Sequence, residues 1–279
     1  MVIDGHCHIL PPSFRQRRAE LLAHDATFAS LFSRPQASFV AAETLLEDMD
    51  RDGVDRSVVM GMGWTGLELA EECNSYIIES VRRYPDRLIG FCSVNPLWGD
   101  AAVAEVERCA AAGLKGIGEL HPDTQGLDIT DMPSMAPLMQ AAVRLGLPVL
   151  VHASEPVGHQ YPGKGQTTPD KLYRFIENFP DNTIICAHWG GGLPFYALMP
   201  ELPRVLQNVY FDTAASPFLY RQEVFSAVVG LVGPEKIIFA TDYPLIRARR
   251  LLRQVEEAGL SATDRESVLF GNAARLFGF

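Results

Sequence analysis

Cysteine is sparse in this 279-residue chain, and its placement suits no staple. Cys7, Cys73, Cys92, Cys109 and Cys186 are odd in number and scattered, with no C-x-x-C pair. That argues against a disulfide framework or a cysteine-based zinc site and fits a reducing compartment. Long apolar runs are missing too. None nears the roughly 20 residues needed to cross a bilayer. The opening Met1-Val2-Ile3-Asp4-Gly5-His6-Cys7-His8-Ile9 has neither the basic leader nor the apolar centre of a secretory signal. Basic charge is in deficit, with 24 Lys and Arg against 34 Asp and Glu and a net charge of −10. A nucleic-acid backbone or an anionic membrane surface would want the opposite balance. The expectation is a cytoplasmic protein acting on a small molecule, with a symmetric homodimer as the default assembly.

What is present alternates. Short β-branched or apolar runs recur at Val2–His8, Arg56–Met60, Leu88–Val94, Lys115–Leu120, Pro148–His152, Thr183–His188, Val209–Thr213 and Lys236–Thr241. Between them lie segments of helical period, including Leu67–Tyr84, Ala101–Ala112, Met135–Leu145 and Gln222–Val232. Strands alternating with helices read as βαβ units and a parallel sheet. The strand tips advance by 52, 34, 25, 33, 36, 25 and 29 residues. After the first step these cluster near the roughly 31 residues per unit of an eight-unit barrel. The long first step implies an insertion over 10–41. The expected fold is α/β, a (β/α)8 TIM barrel forming a single domain over residues 1–279. A doubly wound sheet is the alternative, but no G-x-G-x-x-G follows the first strand.

Polar residues gather at the strand tips, on the face where barrels keep their chemistry. His6 and His8 stand at i and i+2 on a strand, so they share a face. Roughly 6–7 Å apart in Cα, both can reach one cation. His152 ends Val149-Leu150-Val151-His152, and His188 ends Ile184-Ile185-Cys186-Ala187-His188. Asp242 ends Phe239-Ala240-Thr241-Asp242, where a carboxylate can ligate a metal, accept a proton or cap a helix. Other residues receive lesser roles. Asp4, on the inward face with His6 and His8, makes an internal hydrogen bond, Cys7 faces a helix and Cys186 is core. His121 is read as a solvated loop residue. Gly190-Gly191-Gly192 leave space beside the site rather than bind an anion. The 11–41 insertion, the 155–168 loop (with His159, Tyr161 and Lys164) and Trp189 shape the pocket. Arg247, Arg249 and Arg250 line the exposed face of the last helix.

Five motifs in order carry a family resemblance: Asp4-Gly5-His6-Cys7-His8, Val151-His152-Ala153, Ala187-His188-Trp189-Gly190-Gly191, Ala240-Thr241-Asp242-Tyr243-Pro244 and Gly271-Asn272-Ala273-Ala274-Arg275-Leu276-Phe277. Over nearly its whole length the chain resembles the amidohydrolase superfamily. More narrowly, it resembles the amidohydrolase-related group that holds both hydrolases and aminocarboxymuconate-semialdehyde-type decarboxylases. The resemblance implies that His6, His8, His152 and Asp242 hold a catalytic divalent metal, usually zinc, with manganese the other candidate. It implies that His188 joins that shell or polarises the substrate beside it. Many superfamily members carry a carboxylated Lys on the fourth strand. Lys115 lies roughly 13 Å before the tip and should sit deep in the barrel. Glu119 stands at the right height, similar to the TatD-type deoxyribonuclease branch, and is read as a ligand or a bridge between two ions, or as orienting a ligand histidine.

A metal in such a shell activates water. The leading expectation is therefore hydrolysis of an amide, lactone or ester-like bond, with Asp242 moving the proton and His188 steadying the developing oxyanion. The alternative is metal-dependent, non-oxidative decarboxylation of a small unsaturated or aromatic acid. A non-catalytic metal-binding protein comes third.

Overall fold

A computed structural model of the chain describes residues 1–37 and 39–278. Ser38, within the expected insertion, and Phe279, at the end of the expected domain, lie outside the described residues. Eight parallel strands run in chain order: β1 (Ile3–His8), β2 (Arg56–Met60), β3 (Leu88–Cys92), β4 (Gly116–Leu120), β5 (Val149–Val151), β6 (Ile184–Cys186), β7 (Val209–Asp212) and β8 (Ile237–Ile238). The ring closes between β1 and the segment after β8. Gly5 N–H donates to Phe239 O at 2.8 Å, Asp242 N–H to His6 O at 3.0 Å and His8 N–H to Tyr243 O at 2.7 Å. The chain is a single-domain (β/α)8 TIM barrel, as its spacing predicts.

Strand and helix positions follow from where apolar side chains fall. In Leu67–Arg83 the buried Ala70, Cys73, Asn74, Ile77 and Ile78 recur every three or four residues, so one helical stripe meets the sheet. Two cores result. An inner one fills the barrel with Ile3, Val58, Met60, Ile89, Phe91, Leu150, Ile185 and Ile238. A larger outer one lies between strands and helices and includes Cys7, Val59, Val151, Cys186 and Phe211. All five cysteines are buried free thiols.

The insertion after β1 folds as Pro12–Arg15 in a 3-10 turn followed by helices Arg18–His24 and Ala26–Phe32. Its Phe14, Phe28, Phe32 and Phe39 cluster with Trp64 at ring separations of 4.8–6.3 Å. Each such burial contributes about 1.5–3 kcal/mol. Asp25 accepts from Phe28 N–H at 2.8 Å as a helix cap, and from Thr65 N–H and Oγ1 at 2.8 Å each. One carboxylate thus starts a helix and ties the insertion to the loop after β2.

Candidate metal centre

The register of β1 shifts between Asp4 and Cys7, which marks a bulge. That irregularity corrects the simple alternation expected from the sequence. Asp4 does not share the inward face with His6 and His8. It borders a small outer void beside Leu45, Met49 and Ala248 of the flanking helices. There it accepts from Thr241 Oγ1 at 2.6 Å and Thr241 N–H at 2.9 Å, the internal hydrogen bonding expected of it. His6 and His8 point inward and are buried, with Nε2 atoms 3.0 Å apart.

The other tip residues converge on the same volume. Glu119 on β4 lies between two groups. Its Oε1 is 2.9 Å from His152 Nδ1 and 3.6 Å from His188 Nε2. Its Oε2 is 3.7 Å from both His6 Nε2 and His8 Nε2. Asp242 Oδ1 lies 3.2 Å from His8 Nε2, and His188 Nε2 lies 3.2 Å from His152 Nδ1. All six expected residues therefore meet. Two of them arrive by a route that alternation does not describe. His188 and Asp242 lie beyond their strands in left-handed backbone, with φ of 55° and 64°. Such φ values cost of order 1–3 kcal/mol each outside glycine. The turns are held by His188 N–H donating to Asp212 Oδ1 at 2.8 Å and Asp242 N–H donating to His6 O.

The outward ring nitrogens decide what the inward ones offer. His8 Nδ1–H donates to Gly61 O at 2.7 Å, His188 Nδ1–H to Ala214 O at 3.2 Å and His152 Nε2–H to Gly163 O at 3.0 Å. Carbonyls only accept, so these tautomers are fixed. His6 Nδ1–H donates to Asp212 Oδ2 at 2.8 Å. In neutral rings, four bare nitrogens then face carboxylate oxygens, lone pair against lone pair. The cluster is stable only with positive charge at its centre. Protons on the imidazoles are one source of it. Burial pushes the His6 imidazolium down, yet Asp212 and Glu119 hold its pKa well above the ordinary value. Burial also opposes charge on His188, but Glu119 and Asp242 raise it to about 9. Glu119 is pushed up by burial and pulled further down by His152 and His6, to well below the ordinary carboxylate value. A divalent cation offers the same charge at shorter range. The triads His6–His8–Glu119 and Glu119–His152–His188 each bring their donor atoms within 4.8 Å of one another, which fits such an ion.

Asp212 is a residue the sequence reading missed. Fully buried at the end of β7, it fixes the His6 tautomer and accepts from the backbone N–H groups of His188 and Ala214. Its signal was a lone carboxylate inside the apolar run Val209-Tyr210-Phe211-Asp212. His121 needs correction too. It is 3% exposed rather than solvated, and its ring stacks on His152 at 4.2 Å and 18°. Burial and the neighbouring His152 lower its pKa to about 3.

Above the cluster opens a cavity of about 700 Å³. Leu31, Phe32 and Arg34 of the insertion, and His159, Tyr161 and Gly163 of the 155–168 loop, line it. Those segments shape the pocket as expected, but three other residues differ. Trp189 is fully buried against Phe225, its Nε1–H donating to Ser216 Oγ at 3.0 Å, so it belongs to the outer core. Lys115 is exposed at the start of β4 instead of deep in the barrel. Arg247 is tied to Asp52 and Asp48 at 2.9 Å rather than lining a free face. Lys164 stitches its own loop by donating to Val157 O at 2.7 Å and His159 O at 3.1 Å. The glycines after His188 let neighbouring backbone approach closely. A Cβ on Gly191 would come within 2.4 Å of Ser154 O, and the Gly191 and Gly192 N–H groups are spent on His188 O and Trp189 O.

A family model described as amidohydrolase matches residues 3–279, and the chain belongs to that family. The 2-amino-3-carboxymuconate-6-semialdehyde decarboxylase of Dictyostelium discoideum is 26% identical, covering 99% of this chain and 91% of its own. The gamma-resorcylate decarboxylase of Polaromonas sp. is 23% identical over 75% of this chain and 76% of its own. Among solved structures, the 5-carboxyvanillate decarboxylase of Novosphingobium aromaticivorans, complexed with manganese, superimposes with a TM-score of 0.80. It is 19% identical and covers 100% of this chain and 96% of its own. The activities named for these relatives favour the decarboxylase alternative over the hydrolase that led the sequence reading.

Proposed function

We propose that this chain is a metal-dependent decarboxylase that releases CO2 from a small unsaturated or aromatic acid. Residues 1–279 act as one unit, with His6, His8, Glu119, His152, His188 and Asp242 as the metal site. The observation that carries this reading is the convergence of four bare imidazole nitrogens on Glu119 at a barrel mouth, in a chain whose curated relatives are decarboxylases. A bound divalent ion supplies Lewis acidity that orients an anionic substrate and withdraws charge from it. Zinc suits an imidazole-rich shell, and the manganese in the solved relative makes that ion the second candidate.

The chain's own residues supply the rest. Asp242 is the most solvent-accessible carboxylate of the cluster, with 17% side-chain exposure against 5% for Glu119. An arriving substrate carboxylate raises its proton affinity by like-charge proximity. Asp242 takes a proton from solvent and delivers it to the substrate carbon. The carbon–carboxylate bond breaks, its electron pair stays on that carbon and becomes the new C–H bond, and CO2 leaves. His188, fixed by Ala214 O and the Asp212-anchored turn, directs Nε2 toward the reacting end. The cavity of about 700 Å³ is sized for a small molecule.

One observation favours hydrolysis as a second reading. The two Glu119 oxygens address different histidine pairs, His6/His8 and His152/His188, a layout suited to two ions rather than one. The test is product analysis on zinc- or manganese-loaded protein across hydroxy- and amino-substituted aromatic acids. Metal-dependent CO2 release supports decarboxylation. Turnover of lactones or amides with gain of water, and no CO2 from any acid, replaces it with hydrolysis.

A further inference from the structure

His121 plays no part in the donor cluster, yet it is held rigidly at its edge. Its N–H donates to Gln125 Oε1 at 2.9 Å, and Gln125 Nε2 in turn donates to Val94 O at 3.0 Å and Trp64 O at 3.1 Å. One ring face lies flat on His152. Gly63 leaves the room this requires, because a Cβ there would come within 2.7 Å of His121 Cβ and N. Every part of the side chain is spoken for except Nε2, which is buried without a hydrogen-bond partner while the residue lines the cavity. A buried polar atom left unpaired is unfavourable, and the residue that carries it lines the cavity that the preceding reading gives to the substrate.

The neighbouring hydroxyls settle which role Nε2 offers. Thr27 Oγ1 has one proton and two contacts, Gly63 O at 2.5 Å and Thr124 Oγ1 at 2.6 Å. The carbonyl can only accept, so it takes the Thr27 proton, and the single Thr124 proton goes to Thr27 Oγ1 or to His121 O at 3.3 Å. Thr124 Oγ1 then accepts from His121 Nδ1–H at 3.0 Å. In the neutral ring, Nε2 is left with a lone pair.

We infer that His121 is a specificity-determining residue whose Nε2 accepts a hydrogen bond from a hydroxyl or amino group of the bound acid. An acid lacking such a donor leaves Nε2 unpaired, and its carboxylate cannot fill the position because it too only accepts. This inference rests on the reading of the cavity as the site of a small acid.

The experiment is calorimetric titration of the zinc-loaded protein with benzoate, the three monohydroxybenzoates, their methyl ethers and 2-aminobenzoate. The best donor-bearing acid should bind about tenfold or more tighter than benzoate and its own methyl ether, the range for one buried hydrogen bond. His121→Phe keeps a flat ring for the stack and should erase that preference, bringing the donor-bearing acid and its ether to equal affinity. A preference that survives His121→Phe overturns the inference, as does equal affinity for donor and ether in the wild type. Nitrogen-15 spectra of the wild type give a readout independent of the variant's folding. Nε2 should be unprotonated in the free protein and shift on binding the hydroxybenzoate but not the ether, and a protonated Nε2 overturns the assignment. Binding of none of these acids overturns this inference, whereas metal-dependent CO2 release from another acid would leave the proposed function standing.

Discussion

Inside the barrel, Phe91 and Phe277 meet edge to face at 5.5 Å among Ile3, Val58, Ile89 and Ile238. At the mouth of the same ring, four imidazoles and two carboxylates crowd together, and His188, Trp189, Ala215 and Asp242 adopt left-handed backbone. The first region gains stability from apolar burial. The second gives stability up, through desolvated charge and strained turns, to hold donors in one place. Mutations should therefore separate cleanly: changes at the mouth alter chemistry more than stability, and changes in the interior do the reverse.

The sharpest test of that division is Asp242→Asn in metal-loaded protein. CO2 release should fall about 10²–10⁴-fold, the range for a lost proton-transfer group. The urea midpoint of the metal-free protein should change little. Steady-state rates on loaded protein and denaturation without metal check the two halves. Phe91→Ala probes the interior. The Phe91 ring occupies the space over Gly116, where an added Cβ would come within 2.4 Å of it, so truncation opens a cavity. Urea unfolding should show a loss of about 3–5 kcal/mol, with metal content of the folded protein unchanged. Parallel losses of stability and metal would break the comparison.

Asp212→Asn lies between the two regions in effect. The amide no longer fixes the His6 tautomer, and competition with a chelator should show metal affinity lower by about 10–100-fold. The smallest effect concerns acid sensitivity. With a folded pKa of about 3 against an unfolded value near 6.5, His121 stays neutral in the native state. Below pH 6.5 the unfolded chain binds a proton that the folded one does not, so stability falls as pH falls, until about pH 3. In metal-free protein, His121→Phe should reduce the slope of unfolding free energy against pH between 6.5 and 5 by up to about 1.4 kcal/mol per unit. An unchanged slope would mean that His121 is not desolvated as described.

The eight strands were legible because each is a short apolar run ended by turn chemistry, and the near-constant spacing admits few other arrangements. The candidate donors were legible because a charged tip on an apolar strand has no packing role. Alternation failed where backbone leaves the regular strand. The β1 bulge turns Asp4 outward, and the left-handed turn after β6 carries His188 inward while Cys186 packs outward with Trp189. Neither leaves a local pattern, because each depends on hydrogen bonds to distant residues, Thr241 for Asp4 and Asp212 for His188. His121 lay two residues beyond Glu119, at the parity that turns it inward. Its burial depends on the insertion and the 155–168 loop closing around it, which no strand pattern encodes.

The claim that the rest depends on is that these scattered donors share a cation. Anomalous scattering from crystals grown with manganese tests it directly. The expected result is a peak bounded by His6, His8, Glu119 and Asp242, or a pair of peaks that also takes in His152 and His188. A fully loaded solution in which the metal sits elsewhere, with Glu119 still salt-bridged to protonated histidines, would contradict it.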